Sequence, residues 1–281
     1  MTFVLAGCGG VDKEDVKNPT KVDNYLAAAV GGDDENIEKA LVYLQDASFS
    51  KDGITVTARQ AVADKHSMYV LLSVTATPDM EFTYSDRFDM CSTNVTEKGG
   101  FSGFEWTTVS KDKKTLYVVV GVASEEGLNK GTASVSLWDL KTAGGSDEEY
   151  GIKTYTGNWN IKFDYEVADV TERYTSDAII KTDGVELEFD YIDISPFGVY
   201  TSLSLADSSI NPGEDWDYDT MDIDVVLKDG TEVGITSSHG SADFGGTRDE
   251  FNYYRSGRLI AAIDPTEVSH ILINGEKIEL K

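Results

Sequence analysis

Alternation of apolar and polar side chains is the dominant pattern along this chain. In residues 54–59 every second side chain is apolar, which gives a β-strand one apolar face and one polar face. The alternation stops over residues 63–67, and an almost continuous apolar run follows over residues 68–74. The pattern therefore predicts an antiparallel hairpin whose second strand is central in its sheet.

The hairpin pattern occurs a second time, later in the chain. An Asp-Gly pair begins the first copy at Asp52 and the second at Asp183, and the second copy reaches its return strand, residues 199–205, at the same spacing. Residues 193–198 replace the earlier turn, and Pro196 within them has no N–H for a sheet hydrogen bond. This internal repeat predicts two tandem β-sandwich modules. The alternative is that any two hairpins that begin with an Asp-Gly turn look alike.

The rest of the pattern completes a mainly β fold. Residues 157–165 alternate strictly, so Trp159, Ile161, Phe163 and Tyr165 are predicted to face inward. An Asn-Gly pair, which tolerates positive φ, predicts a hairpin near the C-terminus. We therefore predict two tandem immunoglobulin-like antiparallel β-sandwich modules with one short N-terminal helix. Further strands are predicted over residues 116–122, 132–140, 221–227, 232–235, 271–273 and 277–280.

Three segments follow from these patterns. We predict a lipobox-like N-terminus and flexible tether over residues 1–30, a helix plus the first β-sandwich over 31–168, and the second, immunoglobulin-like β-sandwich over 169–281. The helix is predicted over residues 33–44, where acidic residues precede apolar positions that share one face. A Gly- and Ser-rich stretch over residues 237–248 is predicted to be an exposed loop.

The acidic composition restricts the partners of the chain. Among 281 residues, 50 are Asp or Glu and 24 are Lys or Arg, which gives a formal net charge of −26. Such a charge repels phosphate backbones and anionic lipid surfaces, so we expect no nucleic-acid partner. The 2 cysteines form no disulfide framework, and the 3 histidines lack the spacing of zinc ligands.

The N-terminal residues Leu5, Ala6, Gly7 and Cys8 resemble the bacterial lipobox, in which the cysteine sulfur receives a diacylglycerol. The resemblance makes Cys8 the lipidated first residue of a mature protein that contacts the membrane only through its lipid. Polar residues 11–19 suit a flexible tether. However, only seven residues precede Cys8, whereas a secretory signal needs a basic region and about 7–15 apolar residues. The alternative is a short apolar N-terminus with an incidental cysteine.

An acidic and aromatic loop supplies the candidate ligand-binding residues. Asp215, Asp217 and Asp219 place carboxylates two residues apart, as at the start of a calcium loop, but the Gly and Glu that complete an EF-hand are absent. A looser Ca²⁺ site is one prediction, and a solvated acidic loop is the alternative. Trp216 and Tyr218 in the same loop are predicted to be exposed and to stack on a ligand. No other cofactor is expected.

Catalytic motifs are weak in this sequence. His239, Ser241 and Asp243 are the residue types of a hydrolase triad, but residues so close in sequence rarely converge in space, and no Gly-x-Ser-x-Gly motif occurs. Pairs of carboxylates suited to glycoside hydrolysis carry no information in a chain with 50 acidic residues. We therefore predict that the protein is not an enzyme.

Several short motifs, taken together in order and spacing, resemble a family of uncharacterised extracytoplasmic proteins of Gram-positive bacteria. These proteins carry a domain of unknown function followed by an immunoglobulin-like C-terminal module, and the similarity extends from about Asn24 to the end of this chain. Many relatives lie outside the membrane, beneath an anti-sigma-factor-like cytoplasmic segment and a single span, and neither piece is present in these 281 residues. The resemblance implies no catalytic residues. The motifs are residues 52–57 with 68–72, Gly157-Asn158-Trp159, Ile194-Ser195-Pro196, and residues 264–268 before Ile273-Asn274-Gly275.

These observations together predict a non-catalytic, lipid-anchored extracytoplasmic protein on the cell surface that binds or senses a component of the bacterial cell envelope, either a protein or a glycan. Two alternatives stay open. The chain could be the sensor part of an anti-sigma-factor-like regulator, or a surface carbohydrate-binding protein. An aromatic strip on a solvent-facing sheet would favour the carbohydrate-binding alternative.

Overall fold

A computed structural model shows how the chain folds. Strands account for most of its secondary structure and form packed sheets, which confirms the prediction of a mainly β, sandwich-like fold. The structure describes residues 21–32, 35–44, 47–77, 80–95, 101–124, 127–143, 152–182, 185–207, 221–244 and 251–281.

The first helix, α1 (Asn24–Val30), lies where the flexible tether was predicted. The Asp23 side chain accepts a hydrogen bond from the backbone N–H of Tyr25 and caps the helix N-terminus. Gly31, at φ +96°, ends the helix in the left-handed conformation that glycine adopts without strain. The prediction of a tether up to residue 30 is therefore wrong at its C-terminal end, because these two caps enclose a segment with a buried apolar face.

The second helix is shorter than the helix predicted over residues 33–44. The structure has α2 (Glu35–Lys39) followed at once by strand β1 (Leu41–Val42). Leu41 and Val42 pair with the residues at the end of strand β3 (Ile54–Ala63), so their backbone groups are bonded to a sheet instead of to a helix turn. Long-range pairing thus overrides the local helical pattern.

The first module, residues 41–166, is a sandwich of two sheets. Its further strands are β2 (Ala47–Lys51), β4 (Ser67–Thr75), β5 (Arg87–Asn94), β6 (Phe101–Val109), β7 (Thr115–Ala123), β8 (Lys130–Ala143) and β9 (Ile152–Glu166). One sheet has the order β1-β3-β4-β7-β6, with β2 also paired to β3, and the other has the order β5-β8-β9. The apolar core between them includes Trp159, Ile161, Phe163 and Tyr165, which confirms their predicted inward direction.

The second module, residues 172–281, is built from one sheet that folds over itself. Its strands are β10 (Glu172–Tyr174), β11 (Ile179–Thr182), β12 (Val185–Ile194), β13 (Gly198–Leu205), β14 (Ile223–Leu227), β15 (Glu232–Phe244), β16 (Phe251–Leu259), β17 (Val268–Ile273) and β18 (Glu276–Glu279). They follow the order β10-β12-β13-β16-β15-β14-β17-β18, with β11 also paired to β12. A core that contains Leu203 from one layer and Ile271 from the other fills the space between the two layers.

Strand β15 joins the two layers of the second module. Residues 232–234 pair with β14, residues 235–244 pair with β16, and the register shifts between Ile235 and Ser237. The prediction of an exposed loop over residues 237–248 is therefore wrong up to Phe244. The Gly- and Ser-rich composition is typical of loops, but here the backbone of this stretch is paired along β16.

The two predicted hairpins, β3–β4 and β12–β13, have the same geometry, which confirms the internal repeat. Ala63 lies opposite Met68 at the end of the first hairpin, and Ile194 lies opposite Val199 at the end of the second. Both first strands also carry a bulge, with one extra residue, at Arg59 and at Asp190. The same bulge at equivalent positions shows that the repeat extends to the backbone.

A third apolar cluster joins the two modules. The helices pack on the outer face of the larger sheet of the first module, where Leu26 and Ile37 belong to one cluster with Leu71 of β4. Phe197, from the turn of the second hairpin, is fully buried in the same cluster. The guanidinium of Arg258 donates a hydrogen bond to the carbonyl of Ala29 near the end of α1. The helices therefore contact both modules.

Candidate functional site at the junction of the modules

The turns of the two repeated hairpins meet at the junction of the modules. Asp64, in the first turn, is buried and accepts hydrogen bonds from the backbone N–H groups of His66 and Ser67 at 2.7 and 2.6 Å. The hydroxyl of Ser195, in the second turn, donates to the same carboxylate at 2.6 Å. Asp64 and Ser195 are 131 residues apart, and they occupy equivalent positions of the repeat.

The ring contacts on either side of this hydrogen bond also correspond to each other. Tyr69 of the first module packs edge-on against Phe197 of the second, with ring centroids 5.7 Å apart. Tyr200 of the second module stacks on His66 of the first at 3.8 Å. The two repeats are offset by 131 residues, so Tyr200 corresponds to Tyr69 and Phe197 corresponds to His66. The contact between Tyr69 and Phe197 is therefore the counterpart of the contact between Tyr200 and His66.

Asp193 is a carboxylate at the junction that pairs with basic side chains, although only 1% of it is exposed. Arg173 donates to it twice, from Nε at 2.7 Å and from Nη2 at 2.6 Å, and His66 lies 2.7 Å away through Nε2. Lys65 contacts the same carboxylate at 3.4 Å. Burial alone would raise the pKa of Asp193, but the hydrogen bonds from Arg173 and His66 outweigh it and hold the pKa far below its usual range. Asp193 is therefore ionised and joins residues of both modules.

His66 is fixed in orientation by contacts with Asp193 and Tyr200. Its ring is parallel to that of Tyr200, with an interplanar angle of 1°. Because the ionised carboxylate of Asp193 can only accept, Nε2 of a neutral His66 carries the proton and Nδ1 carries the lone pair. Nδ1 is buried and has no hydrogen-bond partner among the described residues. The ring is therefore held by Asp193 at its edge and by Tyr200 on its face.

Two spaces lie beside this cluster. A small cavity of about 30 Å³, large enough for one water molecule, is lined by Asp64, His66 and Tyr200 among others. A cleft of about 570 Å³ lies next to it, within the size range of small-molecule sites. Thr171 and Asp193 line both spaces. The hydroxyl of Thr171 is buried without a hydrogen-bond partner in the described part of the chain.

The cleft is formed by both modules and by the segment that connects them. The first module contributes Lys65 and residues 127–129, and the connecting segment contributes residues 167–169 and Thr171. The second module contributes Arg173 together with Asp193. A molecule in the cleft would therefore contact both modules at once.

The geometry of the cluster differs from that of a catalytic triad. His66 is hydrogen-bonded to Asp193, as in a triad. The serine hydroxyls in or beside the two turns, those of Ser67 and Ser195, donate to Asp64 and not to His66. No hydroxyl or thiol of a described residue is hydrogen-bonded to Nδ1 of His66, so the described residues show no nucleophile paired with this histidine. Nor do the described residues contain a group of three or more His, Cys, Asp or Glu side chains placed to hold a metal ion. The arrangement suits binding through hydrogen bonds and charge.

The described part of the structure does not include the residues or side chains that the sequence singled out as candidate site residues. Cys8, the predicted lipidation site, is outside the described residues, and so are the predicted Ca²⁺ ligands Asp215, Asp217 and Asp219 and the predicted ligand-binding residues Trp216 and Tyr218. Those predictions stay predictions. The side chains of the weak triad candidates His239, Ser241 and Asp243 are also outside the described set.

The junction cluster does not follow from the patterns of the sequence. Residues 63–67 and 193–198 were predicted turns, and His66 is one of three scattered histidines. The available signal was the repeat itself, since equivalent hairpins carry polar turn residues at equivalent positions. Nothing in the alternation, however, indicates that one turn packs against the other.

Aromatic rings also group on the outer face of the first module. Tyr25 of α1 stacks on Tyr117 with centroids 4.0 Å apart, and Trp106 lies 6.0 Å from Tyr25. All three side chains are partly buried against the helix–sheet cluster. These rings pack on each other and do not form an open strip.

Comparisons with known proteins give a fold and no more. No family model matches the chain, and a search of curated proteins gives no match. Among solved structures, the chain is similar to the crystal structure of a conserved domain protein from Bacillus anthracis, with a TM-score of 0.54 and 11% identity over 83% of this chain and 76% of that one. At this identity the likeness shows a shared fold only. Separately, no helix among the described residues has the length and apolar character needed to cross a membrane.

Proposed function

We propose that this chain is a non-catalytic binding or sensing protein whose ligand occupies the cleft between its two modules. The observation that carries the proposal is the buried Asp193, which draws together Lys65 and His66 of the first module and Arg173 of the second at the edge of the cleft. A ligand bound there changes the environment of the contacts that hold the modules together. Binding is thereby coupled to the arrangement of the whole chain.

The proposed setting is the outside of a bacterial cell, with Cys8 as the lipid anchor and an envelope protein or glycan as the source of the ligand. The lipobox-like residues support this setting. The carbohydrate-binding alternative depends on Trp216 and Tyr218, and the anti-sigma-factor-like alternative depends on the family resemblance. Neither gains support from the described residues.

A thermal-shift experiment tests the cleft as the binding site. Soluble fragments of enzymatically digested Gram-positive cell walls should raise the melting temperature of the wild-type chain. Ala168→Trp places an indole in the cleft from an exposed position, so it should keep the basal melting temperature and remove the shift. Ser269→Trp adds the same side chain at an exposed position outside the cleft and should keep the shift. The proposal is wrong if no fragment stabilises the chain or if Ala168→Trp is stabilised as much as the wild type.

A further inference from the structure

We propose that the cleft recognises an anionic group, a carboxylate or a phosphate, through Lys65, Arg173 and Thr171. This inference rests on the proposed function and names the chemical class of its ligand. None of the residues predicted from the sequence as ligand-binding takes part in it.

Arg173 is already oriented for such a group. Its Nε and Nη2 atoms hold the two oxygens of Asp193, and its guanidinium carbon lies 3.8 Å from the centre of the Tyr191 ring. These contacts fix the guanidinium plane, but N–H groups remain for a second acceptor. The side chain is 47% exposed and lines the cleft, so an anion can reach those groups from the solvent.

Lys65 supplies the second positive charge. Its ammonium lies 3.4 Å from Asp193, a longer contact than either hydrogen bond from Arg173, and its side chain is 44% exposed. A flexible ammonium with donors to spare can turn towards a ligand while Arg173 and His66 keep Asp193 paired. The contact with Asp193 thus keeps Lys65 at the edge of the cleft without using its full hydrogen-bonding capacity.

Thr171 supplies a neutral donor at the cleft. It lines both the cleft and the small cavity, and its hydroxyl is buried and has no hydrogen-bond partner among the described residues. Buried hydroxyls are nearly always paired, so an unpaired one at the wall of a cleft indicates a partner that enters from the cleft. An anionic oxygen is an acceptor for this hydroxyl and for the neighbouring cations.

The exposed charges of the cleft also favour an anion. Four charged residues line it: Lys65, Asp169, Arg173 and Asp193. Asp193 lies almost completely covered beneath its cationic partners, so a ligand meets two cations against the single exposed carboxylate of Asp169. The four formal charges of the cleft sum to zero, so an anion is repelled less there than by a surface with the average charge of this chain, whose formal net charge is −26.

Calorimetric titration of the full chain with inorganic phosphate, and separately with succinate, at constant ionic strength tests this inference. We expect saturable 1:1 binding of at least one of the two, and the comparison tells phosphate from carboxylate. Lys65→Met and Thr171→Val should each weaken that binding roughly tenfold. Lys181→Met, which removes an exposed lysine of the second module paired with Glu186, should leave it unchanged.

The Thr171→Val variant separates binding from folding, because valine fills the same space without an unpaired hydroxyl. Its melting temperature in the absence of anions should not fall, while its anion affinity does. The inference is overturned if neither anion binds the wild type, or if both variants bind as the wild type does. If wall fragments still stabilise the wild type but not Ala168→Trp in that case, the cleft remains the binding site and only the anionic class is wrong.

Discussion

At the scale of single residues, the ionic contacts around His66 at the junction depend on one buried carboxylate, Asp193. Asp193 accepts hydrogen bonds from Arg173 and His66 and contacts Lys65, so its charge is balanced by residues that come from both modules. A buried charge is tolerable when it is paired and hydrogen-bonded. Removal of one partner leaves the remaining buried groups without compensation for the free energy of removing them from water. The effect of a mutation here should therefore exceed that of an ordinary ion pair.

Substitution of Asp193 by Asn keeps the side-chain shape and removes the charge. We expect the free energy of unfolding at pH 7 to fall by about 3 kcal/mol, because Arg173 and His66 lose their ionic acceptor. Urea titration measures the change. Asp177→Asn is the matched control, since Asp177 forms an exposed pair with Lys281 and should change stability by less than about 0.5 kcal/mol. Similar losses in both variants would contradict this role for Asp193.

The stability of the protein should also depend on Asp193 in acid. The pKa of Asp193 is lowered in the folded chain, so the unfolded chain, with a pKa of about 3.9, binds the proton more readily. The contribution of Asp193 is thus complete above about pH 4 to 5 and is lost as the pH falls towards the folded-state pKa. The difference in urea midpoint between the wild type and Asp193→Asn should shrink from pH 5 to pH 2. A constant difference over that range would show that the charge of Asp193 is not responsible.

At the scale of elements, the alternation of side chains specified the strands well, and long-range pairing determined the rest. The repeated hairpins and the inward face of β9 follow from period-two patterns, because each has one face in an apolar core. Strand β1 and the second half of β15 were missed, because their own residues are typical of a helix and a loop and only pairing with β3 and β16 makes them strands. Local pattern cannot supply that information.

The C-terminal hairpin gives a test at this scale. Gly275 has φ +79° in the predicted Asn-Gly turn between β17 and β18, and a Cβ at this position would meet no atom within 4 Å. Gly275→Ala therefore reports the backbone conformation alone and should lower stability by about 1 kcal/mol. Glu276→Ala, at the exposed neighbouring position, should change it by less than about 0.5 kcal/mol. Chemical denaturation of both variants provides the comparison.

At the scale of the whole molecule, the modules are joined by more than a connecting segment. Phe197 of the second module is buried among residues of the helices and the first module, and Arg258 reaches the carbonyl of Ala29. The charged cluster lies in the same junction. Because apolar burial and hydrogen bonds both cross between the modules, we expect them to unfold together.

Calorimetry of Phe197→Ala tests that expectation. The wild type should unfold in one transition, whereas the variant should lose about 3 to 5 kcal/mol and separate into two transitions as the junction weakens. Phe49→Ala removes the same ring from a partly exposed position in the first module, and its single transition should move only slightly. Two transitions already present in the wild type would show that the modules unfold independently.

The candidate site was less predictable than the fold. The turn position of Asp64 followed from the sequence, whereas Asp193 was predicted to begin the second turn and lies in strand β12, paired with Tyr200. The proximity of these two residues depends on how two modules dock, which no period-two pattern records. Their burial also ran against the usual expectation that acidic side chains are solvated. Burial of a turn could be recognised only from the packed structure.

The paired contacts across the junction have an evolutionary consequence. The contact of Tyr69 with Phe197 and that of Tyr200 with His66 are reciprocal, as contacts between two identical surfaces related by a twofold axis are, and Asp64 meets Ser195 between the equivalent turns. A homodimer of an ancestral single module, later fused by gene duplication, would leave this arrangement. In a homodimer every substitution occurs on both sides of the axis, whereas a fused chain can change one side alone. Fusion would thus have allowed His66 and its partner Asp193 to arise at one of the two equivalent contacts, while Phe197 kept the other contact apolar.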